Sequence, residues 1–171
     1  MNHLLKRIVA IIMLLTGAIS PRYVLADDAA SFTMRFMTPE TALKAAQAAL
    51  RNCRDAGFQA SVAVVDRTGQ TQVVLRDRFA GMHTPTAAVD KAWTAASFKI
   101  STSQLAEVTQ GGKASSGIRD IARVLAVGGG IMIEVAGDIY GAIGVSGAPN
   151  GEADERCAKA GLGTIVEDLE L

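Results

Sequence analysis

Glycine recurs inside segments that hydrophobic alternation marks as strands, and this conflict constrains the chain more than any other feature. In Gly128–Gly161, GGGIMIEVAGDIYGAIGVSGAPNGEADERCAKAG, residues Ile131, Ile133 and Val135 share one face of a strand. Gly137-Asp138 supplies a turn, and Ile139 to Val145 return as a second strand, which predicts a hairpin followed by a helix. A strand that accepts Gly141 and Gly144, with Gly147 just beyond, does so because a helix, another backbone or a ligand comes too close for a side chain. Spacing alone leaves all three open.

The first 26 residues differ in kind from the rest. Lys6-Arg7, the apolar run Ile8–Leu15 and Val24-Leu25-Ala26 ahead of Asp27-Asp28 predict a secretory signal cleaved after Ala26. The alternative, a membrane anchor, suffers from Thr16, Gly17, Ser20, Pro21 and Arg22, which keep the apolar stretch well under the ~20 residues a span needs. Losing Lys6, Arg7 and Arg22 from 17 basic residues leaves 14 against 17 acidic, a net charge of −3. With no basic stripe and few aromatics, nucleic acid is excluded as an expected partner. The chain length suits one domain with a real core.

Residues 27–37 are expected to form a flexible leader and residues 38–171 a single domain. Thr38-Pro39-Glu40 opens a helix carrying Leu43, Ala46, Leu50 and Cys53 on one stripe, and Gly57 ends it. Ala60–Val65 and Thr71–Arg76 form a hairpin about Asp66-Arg67-Thr68-Gly69. A loop through Arg78–His83 leads to a second helix with Thr84 as cap, Pro85 at its first position and Val89, Ala92, Trp93, Ala96 and Ile100 as its buried face. Thr102 is expected to cap a short third helix, Gln110–Gly117 to be a loop, and Ile118–Val127 is ambiguous between helix and coil. Both strand pairs are joined too tightly for a parallel crossover, so the sheet should be mainly antiparallel, which excludes a Rossmann fold.

Five segments in order, SVAVVDRTGQTQVVLRD, AGMHTPT, DKAWTAASF, the GGG-led hairpin and DERCAKAG, resemble the GlcG/HbpS heme-binding family, also described as a heme-degrading domain. The resemblance covers about Thr38 to Val166. It implies an α/β profilin-like sandwich, two hairpins in one sheet flanked by N-terminal, central and C-terminal helices. It also implies heme as cofactor and a homo-oligomeric, exported (periplasmic or secreted) protein that holds or scavenges heme. Alternatives are a heme-degrading enzyme, or a small organic-acid-binding accessory protein without heme. No nucleophile–base pair or metal-ligand cluster is legible, so no catalytic residue is assigned and binding is favoured over catalysis.

Once His3 is removed with the leader, His83 is the sole imidazole. It either caps the following helix or, as the resemblance implies at this position, serves as single axial ligand to heme iron. Met82 is either core or a neighbour of the ligand, and Thr84 is a further candidate beside it. Lys91 is either a solvated helix lysine or a partner for a ligand carboxylate, with Arg76 and Arg119 weaker candidates. Gly128, Gly129 and Gly130 could present successive amides to an anion, although no phosphate-loop pattern is present. Asp66 suits a turn, and Asp154 with Glu155 suits the start of the last helix.

Cys53 and Cys157 are the only cysteines. An even count in an exported chain favours a disulfide, and the family's sandwich would let the two terminal helices lie side by side. Two separate buried thiols are the alternative.

Overall fold

The computed structural model describes residues 30–170. The expected leader, residues 1–26, lies outside them. A compact unit runs from Met34 onward. Met37, expected in a flexible leader, is 2 % exposed and packs in the core, and its carbonyl accepts a bond from the Gln72 side-chain amide.

In chain order the unit contains α1 (Pro39–Asp55), β1 (Ser61–Asp66), β2 (Thr71–Arg76), α2 (Thr84–Phe98), α3 (Thr102–Val108), β3 (Gly130–Val135), β4 (Asp138–Ser146), α4 (Gly151–Gly163) and the short α5 (Val166–Leu169). A 3₁₀ turn, Ser116–Asp120, interrupts the long connection from α3 to β3. The strands pair antiparallel throughout, in the order β2-β1-β4-β3, so two local hairpins meet along β1 and β4. Helices α1 and α4 cover one face of the sheet and α2 covers the other. This is the mixed sandwich that two short-turned hairpins and three helical segments require.

Alternation along the strands divides the two faces. Val62, Val64, Ile131, Ile133, Ile143 and Val145 join Ala45, Ala49, Cys53 and Ala158 beneath α1 and α4. Val65 and Ala142 face Ala92 and Ala95 of α2. The α2 side is lined by small residues because the helix backbone lies directly on the sheet. A Cβ on Gly144 would overlap the Ala88 carbonyl and stand 2.6 Å from the Ala92 nitrogen. Gly144 is therefore a seat for a helix, whereas Gly141 makes room for the Val65–Asp66 backbone and Gly147 for that of Gln59–Ala60. On the opposite face Gly161 does the same for α1, since its Cβ would meet the Ala45 carbonyl oxygen at 2.6 Å.

Several local expectations shift by a residue or a face. The β3–β4 turn is Ala136-Gly137, both at positive φ, and not Gly137-Asp138. Leu43 is 38 % exposed, and the buried stripe of α1 runs through Ala42, Ala45, Ala46, Ala49, Leu50 and Cys53. On α2 the buried face is Thr84, Ala88, Lys91, Ala92, Thr94 and Ala95, while Val89, Trp93 and Ala96 are half-buried and Ile100 lies beyond the end of the helix. Close approach to Gly144 selects alanine over bulk there.

Helix caps move likewise. Ser101, not Thr102, caps α3, through a reciprocal bond with Gln104. Thr102 is instead buried, with its hydroxyl accepting the Gly130 N–H at 2.8 Å. His83 holds the N-cap position of α2 without a side-chain bond to it, and Thr84 is the first helical residue. Thr38 caps α1 as expected. Cys53 and Cys157 form a disulfide between α1 and α4, with Cα atoms 5.5 Å apart.

Candidate functional site

A cleft of about 510 Å³ opens where the N-terminal end of α2 meets the segment linking β4 to α4. His83, Thr84, Ala87 and Lys91 line it from α2, Leu125 and Val127 from the long connection, and Ser146 to Gly151 with Asp154 from the third side. Its chemistry is uneven: an apolar wall of Ala87, Leu125, Val127 and Pro149, an imidazole at the rim and a buried ion pair in the floor.

His83 is exposed at this rim. Gly81 precedes it by two residues, and a Cβ there would stand 2.9 Å from the imidazole Cε1, so the ring lies against bare backbone. Thr84 is buried, and its hydroxyl is committed: the Ser61 hydroxyl lies at 2.7 Å and the Gly81 carbonyl accepts from Thr84 at 2.7 Å. These bonds fix the loop that carries His83. Met82 adjoins His83 in sequence but is 93 % exposed and does not line the cleft.

Lys91 and Asp154 are each 3 % exposed. The ammonium donates to Asp154 Oδ2 at 2.7 Å and to the Val145 carbonyl at 2.9 Å, while Asp154 Oδ1 accepts the Ala148 N–H at 2.9 Å. Two of the three ammonium donors are thus spent, and the pair carries no net charge. Burial pushes the Asp154 carboxyl above its ordinary value, against the opposing pull of the Lys91 ammonium and the Ala148 and Gly147 amides.

The glycine triplet lies behind this pair and is not part of the cleft lining. A Cβ on Gly129 would meet the Val145 carbonyl at 2.6 Å, Asp154 Cβ at 2.7 Å and Lys91 Nζ at 3.0 Å. One on Gly128 would meet Ser103 Oγ at 2.6 Å, and one on Gly130 would overlap the Lys91 carbonyl. The Gly130 N–H, which an anion cradle would offer, is taken by Thr102. The triplet is the passage through which the Lys91–Asp154 pair is threaded.

The Leu125–Val127 wall is held from α2. Thr94 Oγ1 accepts the Leu125 N–H at 3.0 Å, and the Arg123 guanidinium lies 4.8 Å from the Trp93 ring centre. Neither Arg76 nor Arg119 lines the cleft. Arg76 bonds the Ala80 carbonyl, and Arg119 bonds Thr109 and Ala106 at the end of α3. Asp66 binds its own turn, accepting from the Thr68 and Gln70 amides.

Asp154 and the segment 146–150 are what sequence reasoning missed. A legible signal existed in part: Ala88, Lys91, Ala92 and Ala95 recur at 3.6-residue spacing, which puts a lysine on a buried face and demands a partner. Nothing local identifies Asp154 as that partner across 63 residues. Among the described residues no cluster of three His, Cys, Asp or Glu side chains could hold a bare metal ion.

Fold and cleft together define an antiparallel α/β sandwich with a ligand-sized opening at the N-terminal end of its central helix. Residues 37–163 match the family described as haem degrading protein HbpS-like, and the chain belongs to that family. A double mutant of Streptomyces reticuli HbpS is similar at 37% identity and a TM-score of 0.75, covering 86% of this chain and 98% of that one. ORFY of Klebsiella pneumoniae is similar at 27% identity and a TM-score of 0.76, covering 79% and 94%. The PduOC:heme complex is similar at 27% identity and a TM-score of 0.72, covering 77% and 96%. No curated protein matches the chain in sequence.

Proposed function

We propose that the chain is an exported heme-binding protein that holds or scavenges heme, with His83 as the axial ligand to the iron. The observation that carries the reading is the position of His83: an exposed imidazole, uninvolved in capping α2, at the rim of a cleft with an apolar wall. Membership of the HbpS-like family and similarity to a protein solved with heme support it. The residues fit the group, since one nitrogen donor beside Ala87, Leu125 and Val127 is what a singly ligated, largely apolar macrocycle needs. Heme, when bound, would supply an iron centre with redox and ligand-binding chemistry. Gly81 and Thr84 fix the loop that carries the imidazole, and Ala87, Leu125 and Val127 offer apolar surface to a ligand beside it. Lys91 keeps one N–H beyond its two bonds, and any contact to a ligand carboxylate rests on that donor.

Hemin titration of the mature protein tests the reading. Binding gives a shifted Soret band that persists with reductant, whereas degradation bleaches the band and releases iron. His83→Ala should lose most of the affinity while its thermal midpoint without hemin stays unchanged. An equally tight variant with the same Soret position would place the ligand elsewhere, with Met82 and Thr84 next to be replaced. Export is tested by N-terminal sequencing of the periplasmic or secreted fraction, where Asp27 is the expected first residue. Homo-oligomerisation, implied by the family resemblance, is read by light scattering.

A further inference from the structure

We propose that Asp154, held by Lys91, is the positioning residue that fixes the Gly147–Asn150 wall of the cleft. The geometry divides the carboxylate between two tasks. Oδ2 accepts the Lys91 ammonium, which reaches from α2 and also bonds the Val145 carbonyl at the end of β4. Oδ1 accepts the Ala148 N–H, and the neighbouring Gly147 amide acts on the same carboxylate. Four elements of the cleft are joined through the buried Lys91–Asp154 pair: α2, the end of β4, the linking segment and α4. Gly129 has no side chain where Asp154 Cβ and Lys91 Nζ pass, so the arrangement is built into the backbone of the neighbouring loop.

Besides this carboxylate, the wall is held at its ends, by Gly147 packed on the Gln59–Ala60 backbone and by the Asn150 cap of α4. Gly147 has φ +134 and Ala148 and Pro149 carry no polar side chain, so the segment supplies few bonds of its own. A buried carboxylate with an ammonium partner is also a costly device for stability alone, since apolar residues of similar size often serve as well. Its two-way split between a charge and a backbone amide gives it a placing role that an apolar pair could not perform. The inference rests on the cleft of the proposed function, but the wall's order can be read without any ligand.

The test is amide hydrogen exchange of the full mature protein without hemin, followed by hemin titration of the same samples. Four proteins are compared: the parent, Asp154→Ala, Asp154→Asn with Lys91→Met, and Lys159→Met as a surface control. Asp154→Ala removes the acceptor and should speed exchange at Ala148 by about tenfold, the scale of one lost hydrogen bond. The double variant removes both charges but keeps an oxygen for the Ala148 N–H, and should return exchange there to within about threefold of the parent. In the titration Asp154→Ala should weaken hemin binding with the Soret position unchanged, because His83 is intact. A change in overall stability alone would move all amides together and could not produce recovery at Ala148. Unchanged exchange at Ala148 in Asp154→Ala overturns the proposal, as does a double variant as fast as Asp154→Ala. If none of the proteins, parent included, binds hemin, the heme reading fails while the exchange data still decide the role of Asp154.

Discussion

Gly144 of β4 and Ala92 of α2 stand so close that a Cβ on the glycine would lie 2.6 Å from the Ala92 backbone nitrogen. The same absent side chain would overlap the Ala88 carbonyl, so α2 rests on the sheet through its main chain. This contact sets the height of α2 above the sheet, and with it the depth of the cleft at the helix's N-terminal end.

Gly144→Ala should therefore destabilise by about 1–3 kcal/mol or more, the usual cost of overpacking against atoms that cannot move aside. Gly163→Ala is the control, because nothing lies within 4 Å of its Cβ position. It should be neutral or slightly stabilising. Denaturant unfolding of both variants checks the difference, and equal midpoints would show that α2 can lift without cost.

Much of this was legible in the sequence, and the failures share a cause. Two hairpins and three helical segments follow from alternation, turn residues and Thr38-Pro39, all of which act within a few residues. The Gly141–Gly147 spacing announced a close approach but could not say whether a helix, another backbone or a ligand made it; a helix does at Gly144 and backbone does at Gly141 and Gly147. Bulky Val89 and Trp93 looked like the buried face of α2, whereas Gly144 admits only Ala88 and Ala92 there. Thr84 and Thr102 read as caps because local sequence cannot show Ser61 or the Gly130 amide waiting across the fold. Lys91 and Asp154 were each visible as charges. Their union, which shapes the cleft, is set by tertiary packing.

Reduction of the Cys53–Cys157 bond should lower stability strongly. The bond closes a span of 104 residues and joins the first helix to the last. In the chain-entropy account such a loop contributes about 4 to 5 kcal/mol, through the restricted unfolded chain. Cys53→Ser with Cys157→Ser should unfold at much lower denaturant than the parent. Thiol titration of the denatured, unreduced protein should find no free thiol, and two per chain would refute the bridge.

Thr102→Val tests the anchoring of the glycine triplet. The variant keeps the shape of the buried side chain but leaves the Gly130 N–H without its acceptor. The expected loss is about 1–3 kcal/mol, with faster exchange at the Gly130 amide. Ser101→Ala, which removes only the α3 cap, should cost about 0.5–2 kcal/mol and leave that amide protected. Similar exchange in both would mean that α3, not the Thr102 hydroxyl, protects Gly130.

Asp77 and Asp154 should impose opposite pH dependences. The Arg54 guanidinium bonds both Asp77 oxygens, at 2.7 and 3.0 Å, and holds the carboxyl below its ordinary value against the cost of burial, aided by the Arg78 amide. A depressed folded value means that Asp77 stabilises above the ordinary carboxylate range, and this is lost as pH falls through the depressed value. The gap between the parent and Asp77→Asn should therefore narrow on acidification. Asp154 is raised by burial, so its proton-linked contribution is fully present below the ordinary carboxylate value and is lost as pH rises through the raised one. The parent should gain on Asp154→Asn as the solution is acidified across that window. Thermal midpoints of the three proteins, measured from neutral pH down to the acid limit of reversible unfolding, give the two slopes. Slopes of the same sign would mean that Lys91 outweighs burial at Asp154 and that its carboxyl is held down as firmly as that of Asp77.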